Sequence, residues 1–246
     1  MMQYINGETP SVRVAIGDRR YGSVFYERIQ NMTSLKKLIK LPIIILFISL
    51  NFYLYSNIHK PDELVTDWNT ALQYLIEGNQ RYIENHPIGY TFSENDRNIL
   101  KDGQFPFAAI LTCADSRVAP EIYFDERLGD IFVLRNAGNI YNPVVHGSIE
   151  YAVEHLKVPL VVVVGHSQCG AVTGAFTNTQ SGGNLQNILN LISEHIEGSD
   201  NLNEAIQKNI ESVVENIKQN EIITKQGTMV IGAHFDVVTG VVKFYE

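Results

Sequence analysis

Two apolar runs without polar alternation constrain this 246-residue chain more than any other feature. They are Phe107-Ala108-Ala109-Ile110-Leu111-Thr112 and Leu160-Val161-Val162-Val163-Val164-Gly165. A strand exposed on one face alternates apolar and polar residues. A strand apolar throughout is buried on both faces, which is the habit of parallel sheets covered by helices. Ile131–Arg135 and Met229–His234 read as two more strands. Helical spacing of apolar residues fills the intervals, over Ser148–Leu156, Gly170–Phe176, Leu185–Ile196 and Asn203–Gln219. Upstream, Trp68, Leu72, Leu75 and Ile76 mark a helix over Asp67–Asn79, with Gly78-Asn79 as the expected interruption. Downstream, Thr239-Gly240 turns the chain into Val241–Phe244, an edge strand or hairpin partner. The expected fold class is α/β, with a mostly parallel central β-sheet flanked by helices and a C-terminal edge strand.

Both apolar runs end in reactive side chains. The first leads into Cys113-Ala114-Asp115-Ser116-Arg117, the second into His166-Ser167-Gln168-Cys169. These are the only two cysteines, too few for a disulfide scaffold, so a single bridge or shared metal ligation are the alternatives. Open α/β sheets bind ligands at the carboxyl ends of their strands, where strand order reverses. If the two strands are neighbours, Cys113, Asp115, His166 and Cys169 converge there, a set of donors suited to Zn²⁺. Asp115 has two readings. It closes the coordination sphere, or it pairs with Arg117 in bidentate fashion and leaves the fourth position to water. A net charge of -8 argues against nucleic acid as a partner, since phosphate binding needs a basic face.

The chain divides into three regions by composition. Residues 1–31 are polar and mixed in charge, a leader or a misplaced start, with Met32 as the expected true start. Residues 32–58 carry Lys36, Lys37 and Lys40 ahead of an apolar stretch from Leu41 to Tyr55, the form of a signal peptide. The stretch is shorter than the about 20 residues that span a bilayer, and no Ala-x-Ala follows it, so an uncleaved N-terminal anchor is the alternative. The expected location is periplasmic or otherwise exported. Residues 62–246 have the composition of a soluble domain, and it is in this region that the expected site residues lie.

Cys113-Ala114-Asp115-Ser116-Arg117, Arg135-Asn136-Ala137-Gly138-Asn139, Glu150-Tyr151-Ala152 and Gly165-His166-Ser167-Gln168-Cys169-Gly170 resemble, in order and spacing, the β-class carbonic anhydrases. The resemblance covers about Asp67 to Phe244 and nothing in residues 1–60. It implies reversible hydration of CO₂ to bicarbonate by a zinc-bound hydroxide. Cys113, His166 and Cys169 match the fixed zinc ligands, with Asp115 as a movable fourth. Asp115 and Arg117 match the catalytic dyad. Gln104, Phe132 and Tyr151 fall where plant-type members carry substrate-pocket residues, and Arg135 and Asn136 where the family carries interior scaffold. Ile110 stands where one subset has the tryptophan of an inhibitory bicarbonate site, so that regulation is not expected. The resemblance also implies a homodimer or higher homo-oligomer. The rival readings are a CS₂ or COS hydrolase on the same zinc scaffold and a non-catalytic zinc-binding module. The Asp115–Arg117 pair speaks against the latter, which has no use for a carboxylate poised beside the metal.

Overall fold

The computed structural model describes residues 64–88 and 93–245. The expected leader and signal segment, residues 1–31 and 32–58, lie outside the described residues. No helix among the described residues is long and apolar enough to cross a membrane.

Helix α1 spans Trp68–Ile83 and starts on an Asp67 cap whose carboxylate accepts from the Thr70 N–H. It runs straight through Gly78-Asn79, where an interruption was expected. Gly78 is there for space: a Cβ would stand 1.7 Å from the Phe124 carbonyl oxygen. Asn79 donates to the carbonyls of Tyr123 and Gly240 and accepts from the Val242 N–H, so its polarity is used up by backbone. A breaker pair by composition is thus a contact pair by position. Helix α2 (Glu94–Ile99) follows, closed by a Ser93–Asp96 capping box.

Strand β1 (Ala108–Cys113) is buried at every position. A four-residue helix α3 (Pro120–Tyr123) leads back to β2 (Ile131–Asn136), then a short 3₁₀ turn at Ala137–Asn139. Helix α4 (Pro143–Glu154) begins ahead of the apolar period at Ser148. Pro143 opens the helix, where its missing N–H would have had no partner within the helix, and Asn142 caps the N–H groups of Val144 and Val145. Strand β3 (Leu160–His166) is again wholly buried. Helices α5 (Gly170–Phe176), α6 (Asn184–His195), α7 (Leu202–Lys218) and α8 (Glu221–Lys225) precede β4 (Met229–Phe235) and β5 (Val242–Tyr245). Short α2, α3 and α8 carry too few apolar positions to show a period, and the sequence does not reveal them.

The strands lie in the order β2-β1-β3-β4-β5. The first four are parallel, and β5 pairs antiparallel with β4 at one edge. The two runs without alternation are therefore the two central neighbours, β1 and β3. Ile210 of α7 seats over one face, where a Cβ on Gly165 or Gly232 would meet it at 2.7 Å. On the opposite face, Tyr123 of α3 stacks on Phe235 with ring centroids 4.4 Å apart. The chain moves outward from β1 to β2, then crosses through α4 to β3 on the other side of β1. Strand order reverses between β1 and β3, so a crevice opens at their carboxyl ends.

Candidate metal centre

Cys113 is the last residue of β1 and His166 the last of β3. Just before this point, the Thr112 hydroxyl donates to the Val164 carbonyl at 3.0 Å and locks the two strand ends together. Gln168, in the left-handed conformation, turns the chain so that Cys169 stands at the head of α5. One ligand atom from each of Cys113, His166 and Cys169 falls within a 4.8 Å span, and all three residues are buried.

The donors in this cluster suit a cation. The two sulfurs are 3.9 Å apart and both cysteines are free. That is far beyond the about 2.05 Å of a disulfide. Two such thiols cannot both ionise without a positive charge between them. The hydrogen bond with Cys169 holds the Cys113 thiol far below its usual range, helped by His166 and the Gly138 N–H. The same contact, with burial, pushes the Cys169 thiol up. A shared proton does here what a metal ion would do better, since it ionises only one sulfur. The imidazole is aimed in the same way. The Ser167 carbonyl, 2.9 Å from His166 Nδ1, is an acceptor only, so Nδ1 carries the proton and Nε2 the lone pair. His166 Nε2 is buried with no hydrogen-bond partner. Buried polar atoms are rarely left so, and an orphan nitrogen beside two sulfurs is what a zinc ligand looks like without its ion.

Asp115 does not join the three. Its Oδ1 accepts from the Arg117 backbone N–H and from Nε, each at 2.9 Å, and its Oδ2 accepts from Nη2 at 2.7 Å. Expected as a movable fourth ligand, it stands in this structure on the arginine. The guanidinium beside it holds its carboxyl well below the usual carboxylate range. Arg117 also donates to the Gln168 carbonyl at 3.4 Å, tying the loop after β1 to the loop after β3.

The candidate pocket residues lie elsewhere in the chain. Phe132 pairs in register with Ala109, four positions before the Cys113–Asn136 pair that ends β1 and β2. At about 3.3 Å per residue it is about 13 Å back along the strand. Tyr151, on α4, is exposed and lies 6.2 Å from the Phe132 ring. Gln104 is exposed in the segment that enters β1 at the end away from Cys113. One chain alone does not bring these three to the cluster.

The turn after β2, within the stretch Arg135–Asn139, shapes the centre through contacts that its sequence does not display. The Gly138 N–H donates to the Cys113 sulfur at 3.4 Å. Gly138 has φ 74°, and a Cβ on it would run into Ile192 Cδ1 at 2.5 Å, so only glycine fits the turn. Asn136 closes that turn, donating to the Ile140 carbonyl and accepting from its N–H, both at 2.8 Å. Arg135 corrects the expectation of an interior residue. It is exposed, and its guanidinium forks to the carbonyls of Cys113 at 3.1 Å and Asp115 at 2.6 Å, which leaves the rest of it in water.

Known proteins are similar to this chain. The carbonic anhydrase family model matches residues 108–242. Carbonic anhydrase 2 of Mycobacterium tuberculosis is 40% identical over 153 residues, covering 58% of this chain and 74% of that protein. Among solved structures, the β-carbonic anhydrase CcaA superposes with a TM-score of 0.56 at 30% identity, covering 71% of this chain and 95% of its own. A tetrameric β-carbonic anhydrase from Sordaria macrospora superposes at 0.54 with 27% identity, covering 80% and 96%. The matched stretch includes the whole sheet up to the first residue of β5, the Cys113–His166–Cys169 cluster and the Asp115–Arg117 pair, and on that ground the chain belongs to the β-carbonic anhydrase family and is a zinc enzyme.

Proposed function

We propose that Cys113, His166 and Cys169 hold the zinc at which this carbonic anhydrase hydrates CO₂, and that Asp115, kept in place by Arg117, orients the attacking water. Zinc bound there supplies Lewis acidity, which brings the ionisation of a water to about pH 7. The protein's own part is orientation. An ionised carboxylate offers about four lone-pair positions and no donor. Arg117 fills three of them. The remaining one, on Oδ2, accepts a single hydrogen from the attacking water and so fixes where its lone pair points. With that lone pair on the carbon of CO₂, a C–O bond forms, a π pair moves to oxygen and a proton leaves to solvent, giving bicarbonate. Substrate brings no charge to steer by, so fixing the nucleophile in advance is the larger part of what the residues can do.

The observation that carries this reading is the two-pronged Arg117–Asp115 pair beside, and not within, the ligand cluster. The Asp115→Ala variant tests it. It is expected to keep about one zinc per chain and to lose about 10- to 100-fold in CO₂ hydration by stopped flow, the usual cost of removing a partner outside the ligand set. Loss of zinc from the variant would make Asp115 a ligand and end the orienting role.

Phe132 and Tyr151 belong to the same proposal through a second copy of the chain. They form an aromatic pair on β2, the edge strand of the sheet among the described residues, and on α4, too far from their own metal cluster to line it. A homodimer that apposes these edges would bring one copy's aromatic pair, with Gln104, to its partner's centre. A fully active monomer in sedimentation would remove this part. The export of residues 62–246 behind the segment 32–58 is likewise a proposal, resting on the Lys36–Tyr55 pattern. Recovery of the natural protein only from cytosol would end it.

A further inference from the structure

A hydrogen-bonded path leads from the outside of the domain to the Cys113 sulfur, and its central residue lies in no motif of the site. Asn209 sits on α7 and is 1% exposed. Its Nδ2 donates to the Gly138 carbonyl at 2.9 Å, across 71 positions of sequence. Its Oδ1 is 2.9 Å from Nδ1 of His195, the last residue of α6. Because Nδ2 is committed to a carbonyl, Oδ1 must accept, and His195 Nδ1 carries the proton. The amide is thus fixed in one orientation by two partners from different elements. The peptide it holds is the one that follows Gly138, the residue whose own N–H points at the Cys113 sulfur.

The turn needs such a hold. Gly138 and Asn139 both have positive φ, at 74° and 44°, which is a strained setting for Asn139. The Asn136 side chain ties the two ends of the turn to each other, and its carbonyl accepts from the Ala114 N–H at the start of the turn, which leaves the middle to other partners. Ile192, packed against Gly138 from α6, keeps it from one side by contact alone. Asn209 is the described residue whose side chain donates a hydrogen bond to the middle of the turn from the layer of helices.

We propose that Asn209 is a positioning residue of the metal centre, holding the Gly138 carbonyl so that the Gly138 N–H stays on the Cys113 thiolate. A donor on a ligating thiolate draws charge from the sulfur and fixes its direction, and partners of this kind tune the metal as well as orienting the ligand. The inference rests on Cys113 being a zinc ligand and adds a residue that works through it.

The experiment compares the parent and Asn209→Asp, each loaded with zinc and, separately, with cobalt(II). Aspartate has the same shape and still accepts from His195, but it sets an oxygen against the Gly138 carbonyl. The turn then swings away and the sulfur loses its donor. The thiolate-to-cobalt absorption band is expected to move to lower energy, because a sulfur richer in charge gives up an electron more easily. Zinc is expected to pass to a chelator about tenfold faster. A residue that only filled space or added stability would leave the band where it was. If Asn209→Asp fails to fold, His195→Ala decides. That variant frees the Asn209 amide to rotate and should move the band in the same direction by less. A folded variant with the parent's band position and the parent's rate of zinc loss overturns the inference. A parent that takes up cobalt without any thiolate band overturns it together with the ligand reading of Cys113. The first result is a failure of Asn209 alone.

Discussion

At the carboxyl ends of β1 and β3, two thiols and an imidazole gather, all buried. Arg117, the arginine beside them, is engaged by Asp115. In the segment that leads into β2, three carboxylates gather, those of Asp125, Glu126 and Asp130, and these too are buried. There two arginines come with them. Arg81 Nε stands 2.6 Å from Asp125 Oδ2, and its Nη2 3.9 Å from Glu126. Arg127 Nε stands 3.0 Å from Asp130 Oδ2. Both places concentrate groups whose lone pairs suit a cation, and burying an ionised acid is costly unless a cation accompanies it. The second cluster carries its cations in the sequence. On the function proposed above, the first takes one from solution. That difference would make one a metal centre and the other a piece of scaffold, and carboxylate or thiol content alone would not separate them.

The sharpest way to break the comparison is to remove one sulfur. Cys169→Ala leaves two ligands, Cys113 and His166, around the ion. Zinc should be lost on gel filtration, and CO₂ hydration should fall roughly a thousandfold or more, since the metal accounts for several kcal/mol of barrier lowering. Thermal unfolding of the variant should change far less than its activity, because α5 keeps its start: Cys169 supplies no side-chain cap. A variant that holds zinc and keeps a tenth of the activity would mean that the cluster is not the centre.

The two clusters also differ in how far the sequence reveals them. The thiol cluster is legible because each of its parts is local. A cysteine or a histidine at the end of a wholly apolar run needs only the strand to be placed. The two runs are neighbours, and β1 and β3 end at Cys113 and His166 as their composition suggests. The carboxylate cluster is illegible for the opposite reason. Asp125-Glu126-Arg127 reads as a solvated loop, because the arginine that allows its burial is 44 positions upstream on α1. Asn209 is hidden in the same way, since the Gly138 carbonyl that it holds is 71 positions upstream. Gly78 shows the complementary failure. Its composition marks a break, while its real constraint is the backbone of Phe124 pressed against it, which no local pattern displays. Strand ends and helix periods are written in short windows; the partners of buried charge are not.

Removing Arg81 tests the scaffold side. Asp125 would lose its Nε and Nη2 bonds and keep only the Ile88 N–H among the partners described for its carboxylate. Stripping one partner from a buried pair costs about 3 kcal/mol, the low end for such pairs, since a quarter of the Arg81 side chain is still exposed. Urea unfolding of Arg81→Ala should show this loss while zinc content and hydration per folded molecule stay at the parent's level. Loss of zinc from the variant at low denaturant would show that the two clusters are coupled, and the contrast drawn between them would fail.

Glu126 gives the smallest effect and the finest test. Burial raises its carboxyl well above the usual range. Asp130 and Asp125 push the same way, against Arg81 and Arg127. A group whose folded pKa lies above its unfolded one holds its proton longer in the native state. Between the two values the native state binds more protons, so stability falls as pH rises through that window. Below the unfolded carboxyl's range both states are protonated and the burden disappears. Glu126→Gln has the shape of the protonated acid and no charge to bury. It should therefore unfold at higher denaturant than the parent at pH 8, and the gap should close as pH is lowered toward 4. Hydration should not change, because Glu126 has no bond to either loop of the metal centre among the described residues. A gap that widens toward low pH would mean that Glu126 is buried as a carboxylate paired with Arg81. In that case both arginines would be fully matched by ionised acids, and the scaffold cluster would owe its stability to the ion pairs themselves.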